Sequence, residues 1–164
     1  MKPVFTIRPL TPQDEPFLWE MLYQAIYVPE GQPLPPRRIL EEPSIAHYVR
    51  GWGRQPGDLG VLAVEAAGLP VGAAWLRLFT QADPGYGFVA EDIPEFSIAL
   101  LPDYRGQGLG SLLIEALFQA ARPHYAAISL SVSRDNPAAR LYARKGFVTC
   151  AETSESITML KRLD

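Results

Sequence analysis

Tyr104-Arg105-Gly106-Gln107-Gly108-Leu109-Gly110-Ser111-Leu112-Leu113, residues 104–113, sets three glycines and an arginine at the mouth of an apolar run. Glycine costs about 0.5–1 kcal/mol relative to alanine inside a helix or strand, so bare backbone must serve a purpose here. Leu109, Leu112, Leu113, Ala116, Leu117 and Ala120 recur at helical spacing, and Pro123 closes the run. Upstream, EFSIALL at 95–101 reads as a strand with Phe96, Ile98 and Leu100 on one face and Glu95 on the other. Strand, loop, glycines and helix together aim the unpaired N–H groups of a helix N-terminus at one point. Gly106, Gly108 and Gly110 would let a phosphate approach that backbone without collision from Cβ atoms, and Arg105 adds positive charge. A helix merely entered through a glycine-rich turn is the plainer alternative. Two familiar phosphate cradles fit poorly. A P-loop needs Lys before Ser or Thr, and Ser111-Leu112 follows Gly110 directly; a dinucleotide fingerprint counted from Gly106 ends on Ser111.

Outward from this stretch the pattern is mixed. VFTIRPL at 4–10 reads as a strand. Thr11 as N-cap, Pro12 and Asp14 announce a helix carrying Phe17, Leu18, Met21, Leu22, Ala25 and Ile26. Prolines 29, 33, 35 and 36 break it, and a second helix follows from about Arg37 or Ser44 to Trp52. LGVLAVE and VGAAWLRLF flank AAGLP as a hairpin, and QADPGYGFVAED is a loop. AAISLSV reads as a strand, and NPAARLYARKG as a short helix capped by Asn136 and stopped by Gly146. FVTCAET and SITMLKRL close the chain as strands. The predicted order is β-α-α-β-β-β-α-β-α-β-β, a mixed α/β layer fold in a single domain spanning 1–164.

Composition narrows the classes. Of 164 residues 48% are hydrophobic and 20% charged, which suits a globular core. A net charge of −3 gives no general attraction for nucleic acid or an anionic membrane, so any anion site must be built locally. No signal-peptide core or bilayer-length run is visible, and with the lone Cys150 this points to a cytoplasmic protein. Cys150 reads as a small core residue, and His47 and His124 as surface or helix-end residues without metal-ligand spacing; no metal is expected.

ALLPDYRGQGLGSLL resembles the acetyl-CoA-binding segment of the GNAT (GCN5-related) N-acetyltransferases: Arg105, Gly108 and Gly110 match its signature, and Pro102 its lead-in. RDNPAARLYARKGFV resembles the family's second block through Asn136, Ala139, Leu141-Tyr142 and Gly146-Phe147. The resemblance covers nearly the whole chain and is weakest from Tyr27 to Asp58. It implies the family's fold, a mostly antiparallel central sheet with helices on both faces. It implies that the coenzyme A diphosphate sits on the N–H groups of Arg105, Gly106, Gln107, Gly108, Leu109 and Gly110. The pantetheine arm would lie along the strand ending at Leu100, where two strands splay apart. Asn136 would contact the cofactor near its thioester, Tyr142 would be the general acid, and a backbone N–H, Leu100's, would hold the oxyanion. Homodimers are common in the family.

The implied reaction moves an acetyl group from acetyl-CoA to a small-molecule or peptide amine. A lysine-like amine of pKa about 10.4 costs about 4.6 kcal/mol to deprotonate at pH 7, whereas an α-amine costs about 1.4. Glu95 is the candidate base, although a free glutamate is too weak without burial or a water relay. Glu91 and Asp92 are its rivals, and a solvated strand end is the plain alternative. Tyr142 is equally readable as a core tyrosine, and Asn136 as a cap only. Tyr86 and Phe88, in the loop before Glu95, are candidates for an acceptor pocket. A non-catalytic acyl-CoA-binding domain on the same fold is the competing function.

Overall fold

The computed structural model describes residues 4–164. Seven strands form one sheet: β1 (Phe5–Pro9), β2 (Leu59–Glu65), β3 (Pro70–Arg77), β4 (Glu95–Leu100), β5 (Ala127–Ser133), β6 (Val148–Glu152) and β7 (Ser156–Arg162). Their order is β1-β2-β3-β4-β5-β7-β6. Every neighbouring pair is antiparallel except β4 and β5. The helices are α1 (Glu15–Ala25), α2 (Pro43–Ala46), α3 (Leu109–Ala121) and α4 (Ala138–Arg144).

Period-two alternation sorts the strand side chains into two cores, one per face. Val61, Ala63, Ala74, Leu76 and Phe96 pack with Leu113, Ile114, Leu117 and Phe118 of α3. Leu62, Ala73, Trp75 and Ala99 face the other way, against Leu18, Met21 and Leu22 of α1 and against Tyr48, Val49 and Trp52. Helices therefore cover both faces, as the family resemblance implied. Leu112, placed in the α3 stripe from sequence, is 55% exposed, and Ile114 is buried instead.

The sheet is not continuous at its centre. β3 and β4 pair along their length, from Gly72 opposite Leu100 to Arg77 opposite Glu95. β5 and β7 do likewise, from Ala127 opposite Arg162 to Ser133 opposite Ser156. Between β4 and β5 a single register pair remains, Glu95 opposite Ser129, beside one bond from the Ser129 N–H to the Pro94 carbonyl at 3.0 Å. Beyond it the strands part. The loop that enters β4 lies at the base of the split: Ser129 Oγ donates to the Gly87 carbonyl at 2.7 Å. A Cβ on Gly87 would stand 2.6 Å from the Leu130 carbonyl carbon, so only glycine allows that approach.

Two sequence expectations change. The second helix is one turn, α2, preceded by a 3-10 segment at Arg37–Glu41. The chain then runs through turns to Trp52, because Pro43 restarts it and Gly51 and Gly53 adopt φ of +67° and +91°. Cys150 is exposed rather than buried, since β6 is an edge strand with all five residues outside the core. The α4 helix begins at Ala138, one residue later than read, with Pro137 at the N-cap position, and the Asn136 side chain still serves its first turn: the Ala138 N–H donates to Asn136 Oδ1 at 2.9 Å.

Candidate active site

The glycine segment forms the first half of the site. Gly106 and Gly108 hold φ of +75° and +82°, the left-handed region that favours glycine, and Gly108 is the N-cap of α3. Gly110 is different. Its φ is not positive, and an added Cβ would meet only Leu100 Cδ1, at 4.0 Å. Nothing within the chain requires glycine there, and its Cβ position faces open space. Among the described residues, the six N–H groups from Gly106 to Ser111 donate to no acceptor in the chain. Arg105 departs from the expected nest, because its N–H bonds the Pro102 carbonyl at 3.3 Å. Its guanidinium is exposed and donates to Gln24 Oε1 at 3.0 Å, linking the loop to α1. Gln107 turns its amide back onto the Asp103 carbonyl at 3.1 Å. Leu109 is buried in the core and contributes only backbone. A cavity of about 640 Å³ opens here, lined by Leu100, Gly106, Gly108, Gly110, Arg144 and Lys145 among others.

The split strand edge is the second half. The Leu101 N–H bonds the Val71 carbonyl at 2.9 Å on β3. Backbone groups alternate along a strand, so beyond the Glu95–Ser129 rung Ile98 and Leu100 turn their N–H and C=O groups toward the split. An unpaired edge of this kind accepts an extended ligand as an added strand. A second cavity, about 410 Å³, lies over it and is lined by Glu95, Phe96, Ile98, Asn136, Tyr142 and Tyr86 among others.

Glu95 is 3% exposed, not a solvated strand end. Tyr48 Oη donates to its Oε2, and the Gly87 N–H donates to its Oε1 at 2.9 Å. Burial raises its carboxyl to about 7, against the opposing pull of these two donors. Tyr48 is itself fixed, since its Oη accepts the Tyr86 N–H at 2.7 Å, and its own ionisation is pushed far up by burial and by Glu95. Gly85 makes this cluster possible: a Cβ there would collide with the Glu95 carboxylate and come within 2.8 Å of Tyr48 Oη. The rival Glu91 instead accepts the Gln81 N–H at 2.9 Å, and neither it nor Asp92 lines the cavity.

Tyr142 projects from α4 between Phe96 and Phe147, with ring centroids 6.0 Å from each. Among the described residues its hydroxyl has no hydrogen-bond partner, and burial alone pushes its phenol up to about 12. The Asn136 oxygen is used by the cap, which leaves its amide N–H groups free at the cavity. The structure thus gathers Glu95, Asn136 and Tyr142 in one cavity and Arg105 to Gly110 beside Leu100 at the other end. Of the aromatic pair, Tyr86 lines the cavity and is 62% exposed, whereas Phe88 packs into the α1-side core. Sequence reasoning missed Tyr48. It sits in the irregular segment, 47 residues from Glu95, and no local signal marks it.

The family model described as "Acetyltransferase (GNAT) family" matches residues 19–147. No curated protein matches the sequence. Among solved structures, a GNAT-family acetyltransferase from Streptococcus pneumoniae superposes with a TM-score of 0.66 at 20% identity, covering 97% of this chain and 99% of that one. A ribosomal-protein alanine N-acetyltransferase from Escherichia coli gives 0.66 at 21% identity, with coverage of 98% and 95%. The PaiA N-acetyltransferase from Thermoplasma acidophilum, solved with coenzyme A, gives 0.63 at 18%, with coverage of 97% and 99%. The solved structures share the fold, the family model spans most of the sequence, and the chain belongs to the acetyltransferase (GNAT) family.

Proposed function

We propose that this protein transfers the acetyl group of acetyl-CoA to a primary amine by direct attack, with Glu95 as base and Tyr142 as general acid. One observation carries the reading. A single open strand edge joins a glycine nest at one end to a buried carboxyl and an unbonded phenol at the other. The six free N–H groups from Gly106 to Ser111 fit a diphosphate, and Arg105 adds charge beside them. The bare Gly110 leaves room for close approach.

Acetyl-CoA supplies the acyl group already activated as a thioester. The chain's own residues then have three tasks. Glu95, raised to about 7 by burial, takes a proton from the incoming ammonium, directly or through a water. A base of this strength shortens the gap to a lysine-like amine from about six units to between three and four. The N–H groups facing the split hold the developing oxyanion. Leu100 lines the glycine-end cavity while Ile98 lines the one with Glu95 and Tyr142, so the role falls to Ile98, two residues before the position expected from sequence. Tyr142 gives its proton to the departing sulfur. With the phenol at about 12 and a solvated thiol near 8.5, the transfer runs uphill by roughly 5 kcal/mol. A thiolate formed in the same apolar cleft is also raised, which narrows that gap.

The reading extends to a cytoplasmic enzyme that takes its amine at the Tyr86 end of the cleft. The test is release of thiol from acetyl-CoA with a broad panel of amines, alongside calorimetry of acetyl-CoA binding. Turnover with at least one amine is expected. Binding without turnover would favour a non-catalytic acyl-CoA module, and no binding would remove both readings.

A further inference from the structure

The cleft is charged oppositely at its two ends. Arg144 and Lys145 line the glycine end; Lys145 is bound to Glu115 at 3.0 Å, and Arg144 makes no ion pair among the described residues. The cavity over the split holds two charged side chains, Glu95 and Glu155, and neither lysine nor arginine lines it. Glu155 stands exposed in the β6–β7 turn, and among the described residues its carboxylate pairs with nothing. Arg134, in the loop after β5, is already bound to Glu152 at 2.9 Å and to the Thr153 carbonyl at 2.7 Å, and it does not line the cavity. The cavity also has an apolar and aromatic lining, Leu22, Ile26, Ile45, Tyr27 and Tyr86, to which Ser97, Ser131, Ser133 and Asn136 add uncharged polar groups.

We infer that the acceptor is a small aliphatic amine bearing a second positive charge, and that Glu155 holds that second charge while the reacting amine sits at Glu95. This rests on the acetyl-transfer reading above. A methylene chain suits the apolar wall, and a cation over the faces of Tyr27 or Tyr86 is attracted as well. An amino acid is disfavoured, because its carboxylate would face two like charges with no cation in the lining to offset them. A monoamine leaves Glu155 unused.

Three acceptors of equal length separate these cases: 1,5-diaminopentane, pentylamine and 5-aminopentanoate. The expected order of kcat/KM follows that sequence, with the diamine roughly tenfold above pentylamine, as for a charged hydrogen bond. Glu155→Gln should remove that preference and weaken calorimetric binding of 1,5-diaminopentane to the protein saturated with coenzyme A. Glu41→Gln, altering an exposed carboxylate outside the cavity, should leave the preference intact. Equal use of the three acceptors, or a preference that survives Glu155→Gln, overturns the inference while leaving acetyl transfer standing. If none of these amines, and no other in the broad panel, releases thiol, acetyl transfer itself fails and the acceptor class falls with it.

Discussion

At Glu95 burial and hydrogen bonding pull in opposite directions, and burial wins. The carboxyl is raised to about 7 even though Tyr48 and the Gly87 N–H both stabilise its anion. A base must be deprotonated, so kcat/KM should fall as pH drops through about 7, far above the usual glutamate range. Glu95→Gln should abolish that limb. Tyr48→Phe removes a donor that favours the anion, so the limb should move upward by about half to one pH unit. A pH–rate profile of the three proteins checks both outcomes. The sign for folding follows from the same shift. A carboxyl raised in the folded state adds stability below its unfolded pKa, and that stability is lost as pH rises through about 7. Tyr142→Phe should keep the packing against Phe96 and Phe147 but lower kcat by about 10²-fold or more, read in steady-state kinetics.

Among the elements, the loop entering α3 separates two reasons for being glycine. Gly108 answers to backbone conformation, at φ +82°. Gly108→Ala should cost about 1–2 kcal/mol of stability in urea denaturation. Gly110 answers to access, since its Cβ position is almost empty. Gly110→Val should therefore raise the KM for acetyl-CoA by at least about tenfold, through a lost approach of the order of one charged hydrogen bond. Its folding stability should not fall, because valine is a better helix former than glycine by a few tenths of a kcal/mol. The loop before β4 shows a third reason. Gly85 leaves room for the Glu95–Tyr48 contact, so Gly85→Ala would displace the base without touching the cofactor end.

Across the whole molecule the sheet is two wings joined at one rung, and each wing needs its own support. The α1-side layer is anchored by an ion pair almost sealed from water, Arg77 with Asp58 at 2.9 Å, both side chains 2% exposed. Arg77 also donates to the His47 and Arg50 carbonyls at 3.1 and 2.7 Å, and Asp58 accepts the Gly53 N–H at 2.8 Å. These bonds hold the irregular segment that delivers Tyr48 to Glu95. Arg77→Met leaves a buried carboxylate unpaired and should cost about 3–5 kcal/mol in denaturant unfolding. The acidic limb should shift with it, as Tyr48 loosens.

Residues near one another in the chain were legible in advance. The glycine turn, the α3 stripe, the Asn136 cap and the strand alternation rest on spacing and local backbone preference, so the sequence by itself determined the fold class and the family and marked the glycine end of the cleft. It misread the segment from Arg37 to Trp52 and the burial of Cys150, because a short proline-bracketed run and an edge strand take their form from what packs against them. The state of Glu95 belonged to tertiary structure alone. Its burial, its Tyr48 donor and the parting of β4 from β5 are meetings between distant segments, and a carboxyl's proton affinity is set by what surrounds it in space.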